Sequence, residues 1–234
     1  MENGYLKVVS YNVQCLSYGK EKEKILRILK ELDADIIGLQ ELDIDTERSG
    51  KGNQLQEIAE ALGYEYCYAK TIFHQGGGYG HGILSKFPIR KSEVNYFTEK
   101  VEGTEDRAYS RQVITVDGLK LTLYNTHITF GFGRIFEPMA EVHQVAEKMK
   151  KDPCALLLGD FNLPPKMIEA GLPREGFTVM NQDPDAIDNM VITGPLEFRP
   201  FEDGNGTKVH PETGSDHYPI VAYIKFADGY DFKY

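Results

Sequence analysis

The stretch Ala155-Leu156-Leu157-Leu158-Gly159-Asp160-Phe161-Asn162 decides how this chain is read. A short apolar run closed by Gly-Asp-Phe-Asn reads as a buried strand that runs into a turn. Side chains on a strand alternate between its faces, so Leu156 and Leu158 share a face with Asp160 and Asn162. A core-facing side that ends in a carboxylate and an amide marks a strand end that reaches something other than core.

The same pattern recurs outward from that stretch. Leu119, Leu121 and Leu123 share a face with Asn125 and His127, and Val8 and Ser10 lead to Asn12. By the same alternation Ile37 and Leu39 share a face with Glu41. Later segments show the reverse order: Asp188 precedes Met190 and Ile192, and Asp216-His217 precede the run from Pro219 to Ile224. Strands with polar groups at their C-terminal ends can lie against antiparallel strands that carry them at the start, and all then converge on one rim. Taken singly, each residue has an ordinary reading. Glu41 could be a solvated strand end, Asn12 a turn cap, His127 a satisfied core histidine, and Gly159 to Asn162 an Asx turn. Recurrence in one strand context outweighs those readings. Clustered carboxylates need a cation or hydrogen-bond donors. Carboxylate and amide oxygens without a thiolate suit Mg²⁺, with Mn²⁺ as substitute, better than zinc.

The remaining elements fit around these strands. Leu6 to Val13 reads as a strand; Ile25, Ile28, Leu29 and Leu32 form one helical stripe; Leu55, Ile58, Ala59 and Leu62 form another that ends at Gly63. Strands are expected over 64–70, 80–85, 89–97 and 111–126, the last containing the hairpin signal Asp117-Gly118. A helix is expected near 138–150, and strands near 187–193 and 219–226. Gln75 to Tyr79 reads as a flexible loop. Many strands with few helices predict an α/β fold of two stacked, mostly antiparallel sheets with helices on the outer faces.

Length and composition set the frame. The 234 residues hold no repeat and no linker-like tract, so 1–234 is read as one catalytic domain. No apolar run approaches the roughly 20 residues of a membrane span, so no stable membrane association is expected. The first residues lack the pattern of a signal peptide, and Cys15, Cys67 and Cys154 form no paired set; both point to reduced thiols in the cytoplasm. The net charge of -10 leans toward a small phosphorylated substrate and away from a polyanion. Oligomeric state is not written in any of these features.

Five segments, Ser10-Tyr11-Asn12-Val13, Leu39-Gln40-Glu41, Asn125-Thr126-His127, Gly159-Asp160-Phe161-Asn162 and Ser215-Asp216-His217, resemble in order and context the endonuclease/exonuclease/phosphatase superfamily. Gly80 to Ile89 is similar to a further family segment, although His81-Gly82 stands where Asn-Ala is common. The resemblance runs from residue 6 to about 226 and implies a four-layered α/β sandwich and a Mg²⁺-dependent phosphoric ester hydrolase. It implies that Glu41, Asn12 and Asp216 hold the metal. Asp160 would activate the attacking water, Asn162 would hold a phosphate oxygen, and His127 and His217 would contact the phosphoryl group. Asp188 would fix the tautomer of His217; the segment Ile187 to Met190 is the loosest match, because His or Tyr more often follows that Asp.

Within the family the chain resembles the compact bacterial metal-dependent hydrolases. It has no tryptophan, and Leu42-Asp43 replaces the Thr-Lys that abasic-site endonucleases carry after the Glu motif. Three readings are therefore weighed: a phosphodiesterase or phosphatase on a small substrate, a DNA or RNA nuclease, and an inactive binding module of the same fold. Two stretches are expected to set specificity, Gln75 to Tyr79 and the group Phe130, Phe132, Arg134 and Phe136, and Arg107 and Arg111 are candidate phosphate contacts.

Overall fold

The computed structural model describes residues 4–98, 103–131 and 133–232; Phe132, one of the residues expected to set specificity, lies outside them. In chain order the elements are β1 (Leu6–Asn12), α1 (Gln14–Tyr18), α2 (Lys22–Leu32), β2 (Ile36–Ile44), α3 (Gln54–Leu62), β3 (Glu65–His74), β4 (Gly77–Ser85) and β5 (Ile89–Tyr96). There follow β6 (Ala108–Val116), β7 (Leu119–His127), α4 (Phe136–Met149), β8 (Ala155–Asp160), α5 (Pro165–Gly171), β9 (Phe177–Val179), β10 (Asp188–Thr193), β11 (Leu196–Phe198), β12 (Thr207–Val209) and β13 (Ile220–Phe226).

Two sheets form among the described residues. One runs β11-β13-β1-β2-β4-β3, with β12 also on β13, and the other runs β5-β6-β7-β8-β10-β9. Each is antiparallel except for one parallel pair, β1 with β2 and β7 with β8. Three apolar clusters separate four layers. Val8, Ile36, Leu121, Leu123, Leu156, Leu158, Met190 and Ala222 fill the space between the sheets. Val9, Ile37 and Leu39 pack under Ile25, Ile28 and Leu29 of α2 and Leu55 and Ile58 of α3. Leu157 and Val191 pack under Val142 and Val145 of α4 and Ile168 of α5. The four-layered α/β sandwich is thus the observed fold.

The helical stripes explain why α2 and α3 form, since apolar residues at three- and four-residue spacing fall on one side. Asn53 caps α3 by accepting from the Gln56 backbone N–H at 3.0 Å, and Gly63 ends it at φ +72°. Asp117 (φ +49°) and Gly118 (φ +84°) make the expected two-residue hairpin between β6 and β7. Two expectations change. Gln75 to Tyr79 is no flexible loop: Gln75 and Gly76 form a tight left-handed turn, and β4 already begins at Gly77. Leu39 and Glu41 do not share a face by simple alternation, because β2 is bulged. Leu39 pairs with Gly82 and Leu42 with Gly80, so Gln40 and Glu41 together oppose His81. Ile37 and Leu39 face the helices, and the bulge turns Glu41 away from them.

Segment α1 was not anticipated. Gln14, Cys15, Leu16, Ser17 and Tyr18 all have φ between 44° and 57°, one turn of left-handed helix. That conformation costs roughly 1–2 kcal/mol per residue for side chains with a Cβ. It is held by Gln54 Nε2 donating to the Cys15 carbonyl at 2.8 Å and Ser17 Oγ donating to the Gly214 carbonyl at 2.8 Å. The strained turn lies directly after Asn12 and directs the chain back across the rim.

Candidate active site

Strand register sets the first row of the site. His127 is the parallel neighbour of Asp160, and Asp188 is its antiparallel neighbour, so three ionisable side chains stand side by side where β7 and β8 end and β10 begins. Gly159 allows this close pairing, since a Cβ there would lie 2.5 Å from the Thr126 carbonyl oxygen. The facing sheet contributes Asn12 from the end of β1 and Glu41 from the bulge in β2. Asn12 Nδ2 donates to Glu41 Oε1 at 2.9 Å and to Asp160 Oδ2 at 3.0 Å, which ties the two sheets together. Deeper between the sheets, Gln40 Nε2 donates to Asn125 Oδ1 at 2.8 Å, and Asn125 Nδ2 donates to the carbonyls of Leu39 and Gly82.

Loops complete the cluster. His217 Nδ1 lies 2.7 Å from Asp188 Oδ2, while its Nε2 lies 3.7 Å from Asp160 Oδ2. His127 Nε2 lies 3.4 Å from the same Asp160 oxygen. The Asn162 backbone N–H donates to Asp160 Oδ1 at 3.0 Å, and its side-chain amide donates to the Ile128 carbonyl at 2.9 Å. Asn162 sits at φ +49° and Glu41 at φ +56°. Non-glycine residues held in that region concentrate at functional sites.

Asp216 is joined less directly. Its Oδ2 accepts from Gln14 Nε2 at 2.8 Å, and the Gln14 backbone N–H donates to Asn12 Oδ1 at 3.1 Å. Glu41, His127, Asp160, Asn162 and His217 line one cavity of about 300 Å³, whereas Asp188 and Asp216 line a second cavity that shares only His217 with it.

The two histidines differ in charge. Burial alone would push His217 down, but the hydrogen bond and charge of Asp188, with Asp160 and Asp216 nearby, hold it up at about 9. Burial drives His127 well below the ordinary histidine value, and Arg107 and His217 add to that shift. The Asp160 carboxyl is pushed up by burial and by the charge of Asp188. A cationic His217 and a neutral His127 therefore flank a carboxyl group inclined to take up a proton.

Several metal arrangements can be compared. Asp160, Asp188 and His217 each offer one atom within 4.8 Å of the others. His217 Nδ1 is already spent on Asp188, and a ring that favours its proton competes poorly for a cation. Glu41 supplies hard carboxylate oxygen, turned into the cavity by the bulge, and no cysteine lines the cavity among the described residues; that donor set fits Mg²⁺ or Mn²⁺. Asn12 presents its amide nitrogen to Glu41, so a ligand role for its oxygen needs the opposite amide orientation.

Other residues also line the cavity, some singled out in the sequence (Tyr79, Arg107 and Phe130) and some not (Arg48 and His74). Arg48 donates Nε and Nη2 to the two oxygens of buried Asp43, both at 2.8 Å, and lies 5.1 Å over the Tyr79 ring. His74, Tyr79, Arg107 and Phe130 complete that wall. Gln14 lay within reach of the two-residue spacing from Asn12, and Tyr79 within an extension of the strand that holds His81 and Ile83. Arg48 comes from a loop and left no periodic signal. Of the two arginines considered for phosphate, Arg107 reaches the cavity, while Arg111 is spent on Asp152 and Glu93. Arg134 is exposed, 4.0 Å from Glu137, and Phe136 lies beside a separate groove.

The segment after His127 is pinned from below. Buried Glu141 of α4 accepts from the Thr129 backbone N–H at 2.8 Å and from Thr129 Oγ1 at 2.6 Å. Burial pushes its carboxyl from 4.5 up to about 6, despite those bonds and nearby Arg107. Between those values the folded protein binds more protons than the unfolded chain, so stability falls as pH rises through this window, by about 2 kcal/mol. Urea unfolding from pH 4 to 7 should show that decline shrinking by this amount in Glu141→Gln. Equal declines in both proteins would assign it to other groups.

With the fold and the site described, comparison gives the class. The Endonuclease/Exonuclease/phosphatase family model matches residues 9–217, and the chain belongs to this family of divalent-metal-dependent hydrolases. No curated protein matches the chain. An endonuclease/exonuclease/phosphatase family protein from Bacteroides thetaiotaomicron superposes with a TM-score of 0.72 at 20% identity, over 95% of this chain and 98% of that one. The mannosyl-6-phosphatase of B. thetaiotaomicron VPI-5482 gives 0.72 and 20%, over 94% and 100%. D. rerio TDP2 complexed with a single-strand DNA product gives 0.71 and 18%, over 95% and 100%. At these identities the likeness is one of fold. Among the described residues, no helix is long and apolar enough to cross a membrane.

Proposed function

We propose that residues 1–234 act as one catalytic unit, a Mg²⁺-dependent phosphodiesterase or phosphatase acting on a small phosphorylated substrate. One observation carries this reading: His127, Asp160 and Asp188 stand in register at the strand ends of one sheet, with His217 bonded to Asp188 and Glu41 facing them from the other sheet. We assign Asp160, as the carboxylate, to take a proton from the attacking water; burial and the charge of Asp188 raise its affinity for that proton. His217 donates from Nε2 to a phosphoryl oxygen while Asp188 holds Nδ1 and the positive charge. Asn162 has a second amide hydrogen free to meet another phosphoryl oxygen. Glu41 and Asp216 are the residues we assign to the cation, with Asn12 if its amide is turned. The bound cation supplies positive charge where the transition state gathers negative charge.

Nucleic acid is the second reading. Arg48 and Arg107 in the cavity favour it, and the net charge of -10 weighs against it. The three free thiols fit a reducing compartment, so the cytoplasm is our reading of where the chain works. The test is hydrolysis of bis(p-nitrophenyl) phosphate, p-nitrophenyl phosphate and single-stranded DNA with Mg²⁺ or Mn²⁺. Turnover of an aryl ester that falls about 10²–10⁴-fold in Asp160→Asn supports the reading. Activity on none of the three would leave the inactive binding module.

A further inference from the structure

The second cavity, also about 300 Å³, adjoins the proposed phosphate site through His217, and its walls beyond Asp188 and Asp216 play no part in the chemistry just described. Its far walls combine two kinds of side chain. Ile187, Val209 and Tyr218 come from three separate segments and are 37%, 51% and 47% exposed, unusual values for apolar side chains gathered around one hollow. Asp183 and Asp185 stand beside them, exposed, and no lysine or arginine lines the cavity. Of the two cavities, the neighbouring one carries arginine, in Arg48 and Arg107.

Resting on the phosphoester reading, we infer that this second cavity binds the non-phosphate part of the substrate, an uncharged ring that packs on Tyr218, Val209 and Ile187. The position follows from continuity. His217 lines both cavities, so a phosphoryl group held by it would lie beside the entrance to this one. The charge follows from the fringe. An anionic group would meet the exposed carboxylates Asp183 and Asp185, and the one histidine on the lining, His217, is already paired with Asp188, while ring hydroxyls can donate to the outer carboxylates. A nucleic-acid strand continuing through this cavity would place a second phosphate against the same acids.

Calorimetric titration with non-hydrolysable phosphonates, in the presence of Mg²⁺, tests this. Phenylphosphonate should bind wild-type protein at least about 10-fold more tightly than methylphosphonate, the scale of burying one ring face. 4-Carboxyphenylphosphonate should lose most of that gain. Tyr218→Ala and Val209→Ser should each bring the phenyl-to-methyl ratio to within about 3-fold while leaving methylphosphonate binding unchanged. Asp185→Lys should restore binding of the carboxylated probe. Val209 lies on β12, a different segment from His217, so it separates ring binding from damage to the loop that carries the histidine. Methylphosphonate binding without phenyl preference, a ratio unmoved in both variants, or full-strength binding of the carboxylated probe would each overturn the inference alone. Failure of methylphosphonate itself to bind, together with absent ester hydrolysis, would overturn the functional reading and this inference with it.

Discussion

If His217 stabilises the phosphoryl charge as proposed, His217→Ala should lower kcat by at least about 10²-fold, the scale of a lost charge-stabilising or proton-transfer group. Adding Asp188→Ala makes the enzyme scarcely worse. The expectation follows from the 2.7 Å contact between Asp188 Oδ2 and His217 Nδ1, through which the carboxylate acts by way of the ring. A double-mutant cycle on kcat/KM measures the coupling, and strictly additive losses would show that the two residues serve separate tasks. The same pair has a readout independent of turnover. Asp188 favours the charged ring and holds His217 at about 9, so Asp188→Asn must move that value down. Histidine resonances followed by NMR in metal-free protein report the shift directly. A His217 titration unchanged by the substitution would remove Asp188 from its assigned place.

The second large effect concerns Glu41. Glu41→Gln keeps the side-chain volume and the hydrogen bond to Asn12 but removes the negative charge. Residues that merely orient a metal ligand are commonly worth about 10–100-fold in metal affinity, so loss of a carboxylate ligand should cost at least that much. Calorimetric titration of Mg²⁺ should show the weakened binding alongside a fall in turnover. Unchanged Mg²⁺ binding would move the cation toward Asp160 and Asp188, whose oxygens lie close together across β8 and β10.

The site was legible in the sequence wherever strand periodicity carried it. Leu121-Leu123-His127, Leu156-Leu158-Asp160 and Met190-Ile192-Asp188 each keep one unbroken alternation, and the structure brings all three polar ends into one row. A period of two survives in sequence because burial of one face demands it. Glu41 shows where such reasoning stops. Its alternation with Ile37 and Leu39 points at the helical layer, and a bulge opposite His81 redirects it. Bulges depend on pairing between distant segments and leave little trace in local pattern.

The chain's own order of residues thus determined the layers, the helical stripes on α2 and α3, the Asp117-Gly118 hairpin and the family of strand ends that carry Asn12, His127, Asp160 and Asp188. Tertiary structure alone decided which cations face the cavity. Arg107 reaches it while Arg111, four residues on, is drawn to Asp152, and Arg48 enters from a loop by pairing with buried Asp43. It alone decided the left-handed turn at Gln14 to Tyr18, which these residue types disfavour locally and which persists through bonds to Gln54, Gly214 and Asp216. The physical reason is common to both cases. Periodic burial is a demand repeated every second residue, whereas an ion pair or a strained turn depends on single partners that no period marks, five residues away for Arg48 and Asp43 and 197 for Ser17 and Gly214.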